Sequence, residues 1–87
     1  MARGTIRYWA AAKAAAGVAE EPYDAPTLAE ALAAARATHD DALGRVLDRS
    51  TYVVDGGPVG GRDHHTVELT DGGTIEVLPP FAGGSIT

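Results

Sequence analysis

The chain contains no cysteine. That excludes a disulfide framework, a thiolate metal site and a cysteine nucleophile. Lysine is almost absent too, with Lys13 the only one. The seven basic residues are scattered along the chain. Nucleic-acid binding needs a clustered basic patch to neutralise phosphates, so it is not expected. No apolar run approaches the roughly 18 residues of a membrane span. Met1-Ala2-Arg3-Gly4 lacks the apolar core of a signal peptide. No membrane association is expected, and a cytoplasmic location is the default.

What is present describes one small domain. A chain of 87 residues has room for a single core. Hydrophobic content is 45% and charged content 22%, an ordinary globular mix. The net charge is −5. An acidic domain of this size is suited to a basic surface on a protein partner.

Thr5-Ile6-Arg7-Tyr8-Trp9 reads as a first strand. Alternation puts Ile6, Tyr8 and Ala10 on one face and Arg7 and Trp9 on the other. Ala10 to Ala16 is alanine-rich and suits a short helical segment stopped at Gly17. Val18 to Tyr23 reads as a returning strand, with Glu20 and Glu21 on its rim. Thr27 and Glu30 form a capping-box pattern at a helix start. Leu28, Ala31, Leu32 and Ala35 then share one helical stripe. The helix is expected to end near Thr38-His39. Asp40 or Asp41 caps a second short helical turn, with Leu43, Val46 and Leu47 inward.

Thr51-Tyr52-Val53-Val54 is β-branched and aromatic, hence a strand. Asp55-Gly56-Gly57-Pro58 reads as the turn that closes it, with Val59 opening a short edge segment. Thr66-Val67-Glu68-Leu69 alternates as a strand, and Asp71-Gly72-Gly73 as a turn. Thr74 to Leu78 alternates again, with Ile75 and Val77 on one face. Pro79 and Pro80 cannot donate ladder hydrogen bonds and end it. Strands packed on one main helix make an α+β domain. Its expected span is residues 1–80, followed by a flexible tail at 81–87.

Several residues invite chemical readings that their context weakens. His64 and His65 in a strand would point to opposite faces, so they make a poor metal pair, and His39 does not complete one. Solvated loop histidines and no metal site are the expectation. Asp40-Asp41 reads as a helix cap rather than a catalytic dyad. Gly56-Gly57 and Gly60-Gly61 lack the following helix and Lys-Ser/Thr pair of a phosphate loop. Trp9, Tyr52 and Phe81 form an apolar patch for a partner, or Trp9 and Tyr52 belong to the core.

The tail is more informative. Pro79-Pro80-Phe81-Ala82-Gly83-Gly84 follows the last strand, and Ser85-Ile86-Thr87 follows it. Two glycines carry no Cβ, so their backbone fits a channel too narrow for side chains. Asp71-Gly72-Gly73-Thr74-Ile75-Glu76-Val77-Leu78 leading into this tail resembles the ubiquitin-like β-grasp sulfur carriers. These are the molybdopterin synthase small subunit (MoaD) and relatives such as ThiS. Tyr8-Trp9-Ala10 leading to Lys13 and Gly17, the Thr27-Leu28 helix start and Val54-Asp55-Gly56 extend the resemblance over nearly the whole chain.

The resemblance implies a mixed β-grasp sheet on one main helix. It implies a carrier with no catalytic side chain and no bound cofactor, working as a co-substrate or as the small subunit of a sulfur-transfer complex. A ubiquitin-activating-type enzyme would use ATP to adenylate the last glycine, here Gly84. Sulfur transfer would then make a thiocarboxylate for a sulfur-accepting biosynthetic enzyme or large synthase subunit. Gly83 would give clearance, and Pro79, Pro80, Phe81 and Ala82 would form the presented arm. From Leu78 to Gly84 the arm spans roughly 20 Å when extended.

Two departures from the family pattern bear on this reading. Ser85 holds Gly84 in a peptide bond, so the resemblance further implies cleavage between Gly84 and Ser85, as by a JAMM-type zinc peptidase. Lys13-Ala14 stands where many relatives carry a basic-acidic pair. Pro79-Pro80 leans towards molybdopterin synthesis, and the extension towards cysteine, thiamine or secondary-metabolite carriers. A modifier ligated to lysines through Gly84 and a plain interaction module are the alternatives.

Overall fold

The computed structural model describes residues 1–80. The expectations placed on Phe81, Ala82, Gly83, Gly84 and Ser85 lie outside the described residues.

Strand β1, Ala2–Tyr8, runs into helix α1, Ala10–Ala16, and strand β2, Glu20–Ala25, returns beside it. Helices α2, Leu28–Thr38, and α3, Asp41–Arg49, follow. Strands β3, Thr51–Val54, and β4, Gly57–Pro58, form a hairpin. A 3-10 turn at His64–Thr66 precedes the last strand, β5, Thr74–Leu78. The sheet order is β2-β1-β5-β3-β4. β1 and β5 pair in parallel, with Ile6 beside Ile75 and Tyr8 beside Val77. The other pairings are antiparallel.

Period-two alternation splits this sheet into two faces. Ile6, Tyr8, Tyr52, Ile75 and Val77 point inward and are buried. They meet Leu28, Ala31, Leu32 and Ala35 of α2 and Leu43 and Leu47 of α3. The small alanines of α2 let the helix lie close to the sheet. Among the described residues, no helix covers the opposite face.

Local chemistry explains the element ends. The Thr27 hydroxyl accepts the Glu30 backbone N–H at 3.4 Å, which caps α2, and donates to the Glu30 carboxylate at 3.1 Å in place of the backbone bond of a full capping box. Asp40, not Asp41, caps α3 by accepting the Ala42 N–H. Gly17 ends α1 in the left-handed conformation, φ 78°.

Three expectations need correction. Ala10 does not share the inner face of β1; it opens α1 at φ 49° and is exposed. The turn after β3 is Asp55-Gly56 alone, both at positive φ, as a two-residue hairpin closing a right-twisted ribbon requires. Gly57-Pro58 is therefore strand, and Val59 is buried beyond it. Finally, Thr66-Val67-Glu68-Leu69 is not a sheet strand. Val67 and Leu69 do point inward, but their backbone serves the entry to α2. Leu28 N–H donates to Val67 O at 2.9 Å, and Leu69 N–H donates to Pro26 O at 3.0 Å.

Both sheet edges carry a proline. Tyr8 N–H donates to Ala19 O, just before β2, and Thr5 N–H donates to Gly73 O on the other side. Alternation then turns the backbones of Tyr23 and Glu21 inward and that of Pro22 outward. On the other edge, Val59 N–H donates to Tyr52 O, which turns the nitrogen of Pro58 outward. Each proline removes the N–H that an added strand would use.

Candidate functional site

The last strand lies in the middle of the sheet, so the chain leaves the domain between β1 and β3. Trp9 N–H donates to Val77 O at 3.3 Å. From the other side, the Thr51 hydroxyl donates to Leu78 O at 3.3 Å. Both sides of the β5 end are thus pinned where the tail starts. Pro79 is buried and Pro80 exposed. Pro79, expected in the presented arm, therefore belongs to the body of the domain.

The helix-free face of the sheet adjoins this exit. Trp9 stands on it with 42% of its surface exposed. Its indole N–H donates to the Glu76 carboxylate at 3.1 Å. The Arg7 guanidinium lies 5.2 Å from the centre of its ring, within cation–π range. Arg7 also reaches Glu20 at 3.9 Å, a pair too exposed to add much stability. Half-buried Val53 and Leu78 complete the apolar part of the face. Of the aromatic residues considered for a partner patch, Trp9 joins it, while Tyr52 is core.

On the helical side of the sheet, Tyr8, Glu21 and His39 form a polar cluster. The Tyr8 hydroxyl donates to the Glu21 carboxylate, and His39 Nε2 meets the same group at 2.8 Å. The His39 and Glu21 side chains are only 16% and 21% exposed. Burial, then the hydrogen bond to Glu21, pushes the Tyr8 phenol well above its ordinary range. The cluster ties β1, β2 and the end of α2 together.

His39 is thus not the solvated loop histidine the sequence suggested. His64 packs edge-on against Tyr52, with ring centres 5.3 Å apart. His65 is exposed and meets Asp63 at 3.1 Å. The two lie in a 3-10 turn rather than a strand. Among the described residues no group of acidic or histidine side chains could hold a metal ion. No helix among them is long and apolar enough to cross a membrane.

Sequence reasoning placed Arg7 and Trp9 outward but missed Glu76 as the indole's partner. Alternation along β5 already turned Glu76 outward. What was missing was the parallel pairing that brings it beside Arg7.

The ThiS family model matches residues 6–84. The chain belongs to the ThiS family. Solved structures agree on the architecture. Small archaeal modifier protein 1 (SAMP1) from Methanosarcina acetivorans superposes with a TM-score of 0.82 at 21% identity, covering 97% of this chain and 98% of that one. SAMP1 from Haloferax volcanii gives 0.77 at 22%, covering 94% and 99%. A structure of the protein-protein complex of subunits 1 and 2 of molybdopterin-converting factor from Helicobacter pylori gives 0.66 at 22%, covering 94% and 99%. The fold is the ubiquitin-like β-grasp that the tail and element order implied. No curated protein sequence matches the chain. In this ThiS-family member the described chain thus ends on the central strand, next to an open face bearing a fixed tryptophan.

Proposed function

We propose that the protein is a sulfur carrier made as a precursor and active as a thiocarboxylate at Gly84. The carrying observation is that the family match runs through the second glycine and stops there, leaving Ser85-Ile86-Thr87 outside it. In this reading a peptidase cleaves between Gly84 and Ser85. An ATP-dependent adenylating enzyme then activates the freed carboxylate. Sulfur displaces the adenylate, and a biosynthetic enzyme consumes the thiocarboxylate. ATP is used by the partner, and the carrier itself supplies no catalytic side chain.

The geometry supports this division of labour. A bare carboxylate is a poor acyl donor, so activation belongs to a partner that encloses it. Four residues, Phe81 to Gly84, follow Pro80, a reach of roughly 13 Å when extended. That is shorter than the arm expected from Leu78, because Pro79 is part of the body. The partner must then bring its active site close to the open face, with Trp9 and Leu78 at the rim. The Helicobacter pylori two-subunit complex makes a larger synthase subunit a natural acceptor.

Intact mass of the protein from its native host tests the reading. Loss of the last three residues, with one oxygen replaced by sulfur and thioacid reactivity confirmed, is the expected result. A full-length, unmodified chain from cells with the pathway running would refute it. The likeness to SAMP1 favours one second reading, a modifier joined to lysines through Gly84. That reading predicts higher-mass adducts on other proteins in place of the thioacid.

A further inference from the structure

On the helical side of the domain, away from the open sheet face, an open cavity of about 450 Å³ lies between α2 and residues 62–65. Its floor is small and apolar, formed by Ala29, Leu32 and Ala33. Arg36 stands on one wall and Arg62 on the other, with the imidazoles of His64 and His65 beside it. On a chain of net charge −5, this is a concentration of cationic and N–H-donating groups.

Each group is held in place from behind. Arg62 donates through Nε to Val59 O at 3.2 Å and through Nη2 to Pro58 O at 3.5 Å. Those are neutral acceptors, and among the described residues Arg62 has no carboxylate partner. Its charge is oriented but not cancelled. Arg36 is fixed by Gly44 O at 3.1 Å and Asp48 at 2.9 Å. Asp63, the one acid lining the cavity, is exposed but engaged by His65 of its own loop. Its carboxylate accepts the His65 backbone N–H at 2.9 Å, and that bond holds its carboxyl below the usual range. The Tyr52 ring fixes His64. Guanidinium groups set in advance around an apolar shelf suit carboxylates on a chain that also offers apolar contact.

We propose that this shelf is a second docking surface, and that its occupant is an acidic peptide segment of a partner protein. Arg36 is already paired with Asp48, so it is the guanidinium of Arg62, bonded only to backbone carbonyls, that selects the acidic segment. The open shape suits an extended peptide rather than an enclosed small molecule. Because α2 covers the sheet face opposite Trp9, the shelf stays accessible while the tail and the open face are engaged. The carrier can then be held by one partner while it presents its tail to another.

The test is an NMR titration of the full chain with a hexaglutamate peptide at low salt. Shifts are expected in the amides of residues 29–36 and 62–66. Arg62→Ala should weaken binding about tenfold, since it removes one charge-assisted contact. Ala33→Glu should do the same by placing an acid on the exposed floor without touching the Arg62 bonds. Thermal melts of both variants matching the parent show that folding is intact. Shifts that are absent, that spread equally to Arg3, Arg7 and Arg45, or that survive both variants overturn the proposal. Equal binding of inorganic phosphate at the same amides overturns the peptide assignment in favour of a small-anion pocket. None of these outcomes depends on sulfur chemistry at Gly84, so this inference and the sulfur-carrier reading fail separately.

Discussion

Replacing Gly4 with alanine should destabilise the domain at the point where the two central strands begin to pair. An alanine Cβ there would lie 2.5 Å from the Tyr23 ring and closer still to the Gly73 carbonyl oxygen. Real Cβ atoms do not approach that closely, so something must move. The backbone of Gly73 is held because Thr5 N–H donates to its carbonyl at 3.0 Å. The Tyr23 ring is only 5% exposed, and its hydroxyl donates to Thr70 O at 2.8 Å. Overpacking of this kind costs about 1–3 kcal/mol. Swinging the phenol away adds about 1 kcal/mol for the lost hydrogen bond. A total near 3 kcal/mol corresponds to a fall in Tm of roughly 12–24 °C for a domain of this size. The assay is a thermal melt followed by circular dichroism. Gly61→Ala is the control, because nothing lies within 4 Å of a Cβ at that position. It should stay within about 0.5 kcal/mol of the parent. A Gly4→Ala protein melting within about 4 °C of the parent would refute the packing argument.

Three further outcomes are expected. Burial pushes the Tyr52 phenol up from 10.0 to about 12, so the folded state favours the protonated form. Stability should hold below pH 10, and Tyr52 should contribute about 2–3 kcal/mol to its fall as pH climbs towards 12; melts across that window should fall less steeply in Tyr52→Phe, which keeps only the raised Tyr8 and Tyr23 phenols. Trp9→Ala should cost about 1 kcal/mol in stability, since the indole is 42% exposed and its bond to Glu76 lies at the surface, yet weaken binding to the proposed adenylating or sulfur-accepting partner by about 2 kcal/mol, some thirtyfold; equal binding by calorimetry would remove Trp9 from the docking face. Pro22→Val restores an outward N–H on β2 and should raise self-association at high concentration, and unchanged sedimentation would show that the edge is protected by other means.

Much of this fold was legible because its signals are local. The Thr27–Glu30 pairing fixed the start of α2, and alternation along β5 separated Ile75 and Val77 from Glu76. The failures arose where a distant segment decides the outcome. Val67 and Leu69 alternate as a strand does, yet the entry to α2 takes their backbone groups. His39 looked solvated because Glu21 is 18 residues away in sequence. Ala10 adopts a left-handed conformation with no glycine to announce it. At the candidate site, the outward setting of Trp9 was readable. Its bond to Glu76 needed the parallel pairing of two strands separated by most of the chain. The tail motif was readable as sequence alone.

The position of β5 also governs how the domain answers mechanical load. It runs between β1 and β3, parallel to one and antiparallel to the other. Traction on the chain beyond Pro80 acts along the strand axis. It cannot open one ladder like a zipper, because both flanking ladders must slide at the same moment. A partner that drew the glycines into a channel, as proposed above, would therefore pull against a stopper, the folded body.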